Sequence, residues 1–88
     1  MKRWILIFKI LSNINRLKII KLLANGKSLD VGNIADQIDI SLNATSKHLI
    51  ALNNLDILES EGRRGHVYYR FNRHLPADIK KSINLFLQ

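Results

Sequence analysis

The feature that most constrains the fold is a change of hydrophobic period near residue 57. Before it, apolar residues recur every three or four positions, as in amphipathic helices. After it, segments 57–61 and 66–71 read as two β-strands. Between them lies Gly62-Arg63-Arg64-Gly65, a glycine-flanked sequence typical of a turn. The chain is therefore predicted to be mainly α-helical with a small β-hairpin near its C-terminal end.

The helical periods predict five helices, over roughly 2–11, 15–25, 31–38, 42–54 and 76–87. Asn15, Asp30 and Ser41 are residue types that cap helix N-termini, and Pro76 suits the first turn of the last helix. Segment 28–30 is too short to assign alone and is compatible with a brief strand. The expected order is α-α-(β)-α-α-β-β-α.

The length of 88 residues allows one domain, so we expect residues 1–88 to form a single unit. The formal net charge of +7 suggests a polyanionic partner, but the charge is uneven. Counted by segment, residues 1–27 carry +7, residues 28–59 carry −4 and residues 60–88 carry +4. The chain has no cysteine, which excludes disulfides and thiolate metal sites.

The first residues imitate a signal peptide, because two basic residues precede an apolar run. Lys9 interrupts that run, and 12–15 lacks a small-residue cleavage pattern. The run is also shorter than the roughly 18 apolar residues that a transmembrane helix needs. We therefore expect a cytoplasmic protein without a membrane partner.

Two short helices around Asp39-Ile40-Ser41, followed by a basic hairpin, predict a winged helix-turn-helix that binds double-stranded DNA. The second helix of such a pair enters the major groove, where short polar side chains reach base edges. The hairpin, or wing, offers long cations to a phosphate or minor groove. The candidate DNA-binding residues are Ser41, Asn43, Ala44, Ser46, Lys47, His48, Arg63 and Arg64.

The sequence resembles the ArsR-type family of small winged-helix regulators, over about residues 10–74. The resemblance rests on segments at matching spacings: 11–23, Ile34-Ala35, Ile40-Ser41, 46–49, Gly62-Arg63 and 67–71. It implies a homodimeric repressor, built on the first and last helices, that binds a pseudo-palindromic operator. The apolar residues of those helices are the expected interface: Trp4, Ile7, Phe8, Leu11, Ile79, Ile83 and Phe86.

The sequence also departs from that family. Segment 29–33 lacks the cysteine through which many members sense metals, and His74 with Asp78 supplies only two ligands where zinc usually takes three or four. We expect no metal and no cofactor, and the effector is unknown. Asp39 stands where the family often has glycine, and aspartate tolerates the left-handed conformation better than most residues.

Several residues keep a second interpretation. His48 can contact DNA or pack against its neighbours, and Arg63 with Arg64 can be a solvated turn. The acidic segment 28–59 suggests an alternative function, a winged-helix module that binds protein instead of DNA. A membrane-surface helix at 1–11 fits poorly, because its polar face is interrupted. No catalytic arrangement of residues is recognisable, so we expect no enzyme.

Overall fold

The computed structural model describes residues 2–86, and the expected element order is confirmed. The helices and strands are α1 (Lys2–Leu11), α2 (Ile14–Leu23), β1 (Leu29–Asp30), α3 (Val31–Ile38), α4 (Leu42–Asn54), β2 (Leu58–Arg63), β3 (His66–Phe71) and α5 (Ala77–Phe86). The predicted extension of the last helix to residue 87 lies outside the described residues. Among the helices between residues 2 and 86, none has the length and hydropathy required to span a bilayer.

Most of the predicted helix boundaries are confirmed, but α2 begins earlier than expected and ends at Leu23, two residues before the predicted end. The cap is Asn13, whose Oδ1 accepts hydrogen bonds from the backbone N–H groups of Asn15 (3.0 Å) and Arg16 (3.2 Å). The prediction that Asn15 caps the helix was therefore wrong. Both asparagines are good capping residues, and only the chain direction leaving α1 selects between them.

One hydrophobic core joins all five helices to the sheet. Its centre consists of fully buried aliphatic residues from each layer, among them Ile7, Leu11, Ile19, Ile20, Leu23, Ile34, Leu49, Leu52, Ile57 and Ile79. Thr45 and Ser82 are the buried polar side chains among the described residues, and each donates to the backbone carbonyl four residues earlier in the chain. One face of α4 therefore packs against the core, and its other faces are exposed.

The small sheet is antiparallel, with strand order β1-β3-β2. Strand β2 extends to Arg63, which pairs with His66, so the connecting turn contains only Arg64 and Gly65. Both turn residues have positive φ, 50° and 80°. This is the requirement of a two-residue type I′ hairpin. The predicted four-residue turn was therefore too long, and Gly62 lies within β2.

Helices α1 and α5 pack against each other. Arg3 Nε donates to Asp78 Oδ2 at 2.7 Å, and the rings of Phe8 and Phe86 lie 6.2 Å apart. Asp78 is thereby bonded to Arg3, and this hydrogen bond lowers the pKa of its carboxyl group.

Four of the seven residues expected at a dimer interface are buried inside the single chain: Ile7, Leu11, Ile79 and Ile83. They pack between α1, α5 and the remainder of the core and leave no surface for a partner. The expectation that these four contact a second copy is therefore corrected. Apolar residues every three or four positions identify the apolar face of a helix, but they do not show whether that face packs in the core of the chain or remains exposed on its surface.

Candidate nucleic-acid interface

The turn between α3 and α4 is built from two local hydrogen-bonded structures. Asp39 ends α3 in the left-handed conformation, with φ 58° and ψ 51°, as the sequence predicted for this position. The next amide, Ile40 N–H, donates to the Ala35 carbonyl at 3.2 Å, which closes the end of the helix. Ser41 then caps α4, since its Oγ accepts from Ala44 N–H at 3.1 Å. The chain can thus reverse between the two helices within Asp39, Ile40 and Ser41.

The N-terminal half of α4 presents a polar surface. Ser41, Asn43 and Lys47 are exposed, whereas Ala44 and Ser46 are half-buried. The free N–H groups and the dipole at this helix end favour negative charge nearby. Ser41 Oγ accepts the capping bond, so its own proton remains available to an acceptor. This surface combines donors and one mobile cation, the chemistry that suits phosphates and base edges.

His48 belongs to the contact between α2 and α4. Its Nδ1 accepts a hydrogen bond from Arg16 Nε at 3.1 Å, and the side chain is half-buried. Burial, and then the nearby charge of Arg16, lower the pKa of His48. The structure therefore supports the packing interpretation of this histidine. Its Nε2 carries the proton of the neutral ring, because Nδ1 is an acceptor.

The two arginines of the wing differ in position. Arg63 lies back across the sheet, with its guanidinium 4.3 Å from the centre of the Tyr68 ring and one Nη donating to Ser28 Oγ at 3.3 Å. Its Nε also lies 3.6 Å from Glu61 Oε2. Arg64 occupies the turn itself and is exposed. The expectation that both cations project from the tip is therefore corrected, and Arg64 is the residue placed there.

The acidic residues of segment 28–59 do not share one position. Asp30 is used as the cap of α3, where its Oδ1 accepts from Asn33 N–H at 2.9 Å. Asp39 lines an open groove of about 490 Å³ together with Lys18 and Lys21 of α2. Asp56 follows the C-terminus of α4, about 20 Å from Ser41 at the usual rise per residue. Asp36 is exposed and lies one turn before Asp39, so these two acids are neighbours beside the turn, whereas Asp30 and Asp56 lie at the far ends of α3 and α4.

An apolar surface remains on α1 and α5 after the fold is complete. Trp4 is 40% exposed and Phe8 44% exposed, with ring centroids 5.8 Å apart. Phe86 is half-buried beside Phe8. Three further residues of these helices, which were not predicted for the interface, are also exposed: Ile5, Leu6 and Leu85. A monomer of this size rarely exposes so many large apolar side chains on adjoining helices.

The carboxylate of the possible metal pair is already hydrogen-bonded to an arginine. Asp78 accepts from Arg3, as described above, and His74 donates its backbone N–H to Asn72 Oδ1 at 2.9 Å. Within residues 2–86, no three histidine, aspartate or glutamate side chains come together in an arrangement that can hold a metal ion.

Two residues of this region were not predicted as part of the site. Arg16 contacts His48, and Leu42, the first residue of α4, is 57% exposed. No sequence pattern identifies the Arg16 contact, since it joins residues 32 positions apart. Helical periodicity could have predicted that Leu42 is exposed, because the residue lies off the buried face formed by Thr45, Leu49 and Leu52.

A short α3–turn–α4 unit beside a basic hairpin is a winged helix-turn-helix, and solved structures agree. The chain aligns over 96% of its length with the crystal structure of a possible transcriptional regulatory protein from Mycobacterium bovis (fragment 1–100), covering 86% of that chain, with a TM-score of 0.78 and 27% identity. A solution structure from the same organism, with a TM-score of 0.76 and 28% identity over 96% of this chain and 74% of that one, is described as a homodimeric winged helix-turn-helix DNA-binding domain.

Sequence similarity shows the family to which the chain belongs. The pattern of the bacterial regulatory protein family ArsR matches residues 13–60, more than half of the chain, and the protein therefore belongs to the ArsR family. It is also 45% identical, over 62 residues, to the cadmium resistance transcriptional regulatory protein CadC of Listeria innocua. That match includes 70% of this chain and 52% of the relative, so the chain spans about half the length of the curated relative.

Proposed function

We propose that the protein is a homodimeric, sequence-specific DNA-binding transcriptional regulator that acts as a repressor on a pseudo-palindromic operator. The observation that carries the proposal is the surface formed by the first half of α4 and the tip of the wing. It presents Asn43 and Lys47 on α4 and Arg64 in the hairpin turn as exposed groups. The family membership of the chain, and the homodimeric DNA-binding domain among its structural neighbours, support the same function.

In this proposal α4 enters the major groove with its N-terminal half toward the bases. Asn43 offers the paired donor and acceptor that match adenine, and Lys47 offers a cation to guanine or to phosphate. Ser46 is half-buried, so its hydroxyl can reach only a DNA acceptor that lies close to the helix. The hydroxyl of Ser41 donates to the DNA backbone. Ala44 is also half-buried, so the exposed Leu42 is better placed than Ala44 to contact a thymine methyl group.

The wing contributes mainly through Arg64. It stands at the turn and is free to reach a phosphate or the minor groove, whereas Arg63 contacts Tyr68 and Ser28. Arg63 instead stabilises the wing, and we assign it a supporting role in DNA binding. His48 likewise supports α4 through Arg16.

The second copy of the chain is proposed to cover the exposed apolar surface of α1 and α5, with Trp4, Phe8 and Phe86 at its centre. Covering large aromatic side chains is favourable at roughly 25 cal/mol for each square ångström of apolar area removed from water. Two-fold symmetry would place the two α4 helices one DNA turn apart, about 34 Å. A symmetric dimer then requires an operator with two inverted half-sites.

The test begins with selection of duplexes from a random library by the wild-type protein, followed by measurement of affinity against salt concentration. Each phosphate contact adds about 0.9 to the slope of log affinity against log salt. Lys47→Ala with Arg64→Ala is expected to weaken binding and to lower the slope. Lys80→Ala removes an exposed charge of α5 away from the proposed DNA surface and from Leu85, and serves as the control.

Three results would contradict the proposal: selection that yields no preferred sequence, a preferred sequence without inverted repeats, or a double variant that binds like the control. The alternative function, a module that binds protein instead of DNA, predicts the first result. Asp30 and Asp56 lie at the ends of α3 and α4 away from the turn, which favours DNA over this alternative, because only Asp36 and Asp39 lie beside it.

A further inference from the structure

One side chain outside the proposed DNA surface connects three helices. Arg16, at the start of α2, donates through Nε to His48 Nδ1 on α4 at 3.1 Å. One of its Nη groups also donates to the Ile10 carbonyl of α1 at 3.4 Å. The arginine is half-buried, so these contacts are partly shielded from water.

Each end of this connection satisfies a group that needs a donor. The Ile10 carbonyl lies in the last turn of α1, where carbonyls have no partner within the helix. A cation near a helix C-terminus is also favourable. At the other end, the imidazole accepts through a nitrogen that is unprotonated only while the ring is neutral. The guanidinium can supply both bonds because its donors are held in a fixed planar fork.

We propose that Arg16 is a positioning residue that fixes the orientation of the recognition helix α4 relative to the dimerisation helix α1, and that it does so only while His48 is neutral. The proposal rests on the function proposed above, because it assigns DNA binding to α4 and dimerisation to α1. In a dimer, the angle between these two helices sets the distance between the two reading surfaces. A change at the Arg16 contact therefore alters the fit to two half-sites without touching DNA.

The folding of α4 does not depend on this contact. Thr45, Leu49 and Leu52 are fully buried and attach the helix to the core. Loss of the hydrogen bond from Arg16 leaves these three residues buried but allows α4 to tilt about them. For this reason the contact is expected to affect operator affinity more than it affects folding.

Protonation of His48 opposes the contact in two ways. It converts Nδ1 into a donor, and it places a second positive charge beside Arg16. Burial and the charge of Arg16 both lower the pKa of His48, which keeps the ring neutral at neutral pH. The elements that pack against α4 carry other charged groups: Lys18 and Lys21 on α2, Asp36 on α3, and Glu59, Glu61 and Arg63 on β2. Among the charged groups, only Arg16 shifts the pKa of His48.

The sign of the pH effect distinguishes this proposal from simple electrostatics. Protonation of histidines makes the protein more positive, which by itself strengthens binding to DNA. The proposed contact predicts the opposite, a weakening as His48 becomes protonated. His66 and His74 are exposed and lie outside this contact.

The experiment measures binding of the full chain to a duplex selected by the wild-type protein, by fluorescence anisotropy at about pH 8 and about pH 5.5, on either side of the usual histidine pKa. His48→Asn retains an acceptor near the Nδ1 position and does not titrate. His48→Leu removes the acceptor, and Arg16→Lys keeps the charge but loses the fork. His74→Asn removes a histidine outside the contact and is the control. Urea unfolding of each variant at both pH values reports whether it is folded.

The wild type and His74→Asn are expected to lose about fivefold to tenfold in affinity at the lower pH, which lies within the range for one typical intramolecular hydrogen bond. His48→Asn is expected to keep, at both pH values, the affinity that the wild type has at about pH 8. His48→Leu and Arg16→Lys are expected to bind weakly at both while remaining folded. The inference is overturned if the wild type binds more tightly at the lower pH, or if His48→Asn loses affinity as the wild type does. If the wild type selects no duplex at about pH 8, the proposed function itself fails.

Discussion

The wing offers a substitution that should affect stability and DNA binding in opposite directions. Arg64 has φ 50° in the two-residue turn. A left-handed conformation costs an ordinary residue roughly 1–2 kcal/mol, whereas asparagine adopts it much more readily and is favoured in type I′ turns. Arg64→Asn should therefore raise the free energy of unfolding by about 0.5–1 kcal/mol, as part of that strain is relieved. In a domain of this size the gain corresponds to an increase in Tm of roughly 2–8 °C.

The same substitution removes the exposed cation at the tip. If each wing of the dimer contacts one phosphate through Arg64, the slope of log affinity against log salt should fall by about 0.9 per wing, or about 1.8 in all. The protein would thus become more stable and bind DNA more weakly. No general loss of folding produces this combination.

Thermal unfolding followed by circular dichroism and anisotropy titrations over a range of salt concentrations measure the two effects. Arg73→Asn is the matched control, since Arg73 is exposed at the other end of β3 and lacks the positive φ of Arg64. It should change neither stability nor slope appreciably. An Arg64→Asn variant no more stable than Arg73→Asn would refute the argument from backbone strain. An unchanged slope would refute the contact between the wing and DNA.

Further predictions concern the core, the caps and the interface. Leu49→Ala should cost about 2–5 kcal/mol of unfolding free energy in urea titrations, because the side chain is fully buried. Ser41→Ala should cost about 1 kcal/mol through the lost cap, and a stability unchanged from wild type would contradict that role. Hydrogen bonding to Arg3 lowers the pKa of Asp78. The stabilisation from this carboxylate is therefore present above its usual pKa and is lost as pH falls through the lowered value. Asp78→Asn should make the free energy of unfolding less sensitive to acid in urea titrations below about pH 4. Phe8→Glu should yield monomers in sedimentation, and a persistent dimer would exclude the proposed interface.

Much of the fold could be predicted because local signals agree with the tertiary structure. The caps at Asp30 and Ser41, and the change of period near residue 57, define α3, α4 and the hairpin directly. The start of α2 was less certain since two capping residues, Asn13 and Asn15, stand close together. The length of the hairpin turn depends on strand pairing, which places Gly62 opposite Val67 and leaves two residues to turn.

The candidate site was harder to predict where it depends on contacts between distant residues. Sequence position gave the polar face of α4, but not the folding back of Arg63 over Tyr68 or the bond from Arg16 to His48. The apolar periods of α1 and α5 likewise did not show which residues the core would use. Ile7 and Ile79 proved to be internal, while Trp4 remains exposed.

The most direct test of the central claim compares the affinity of the wild-type protein for its selected duplex and for a scrambled duplex of equal length, at one near-physiological salt concentration. A protein that reads base edges from two half-sites is expected to prefer the selected duplex by a factor on the order of 10³ or more. Asn43→Ala should reduce that preference while leaving affinity for the scrambled duplex unchanged. Equal affinities of the wild type for the two duplexes would contradict the account.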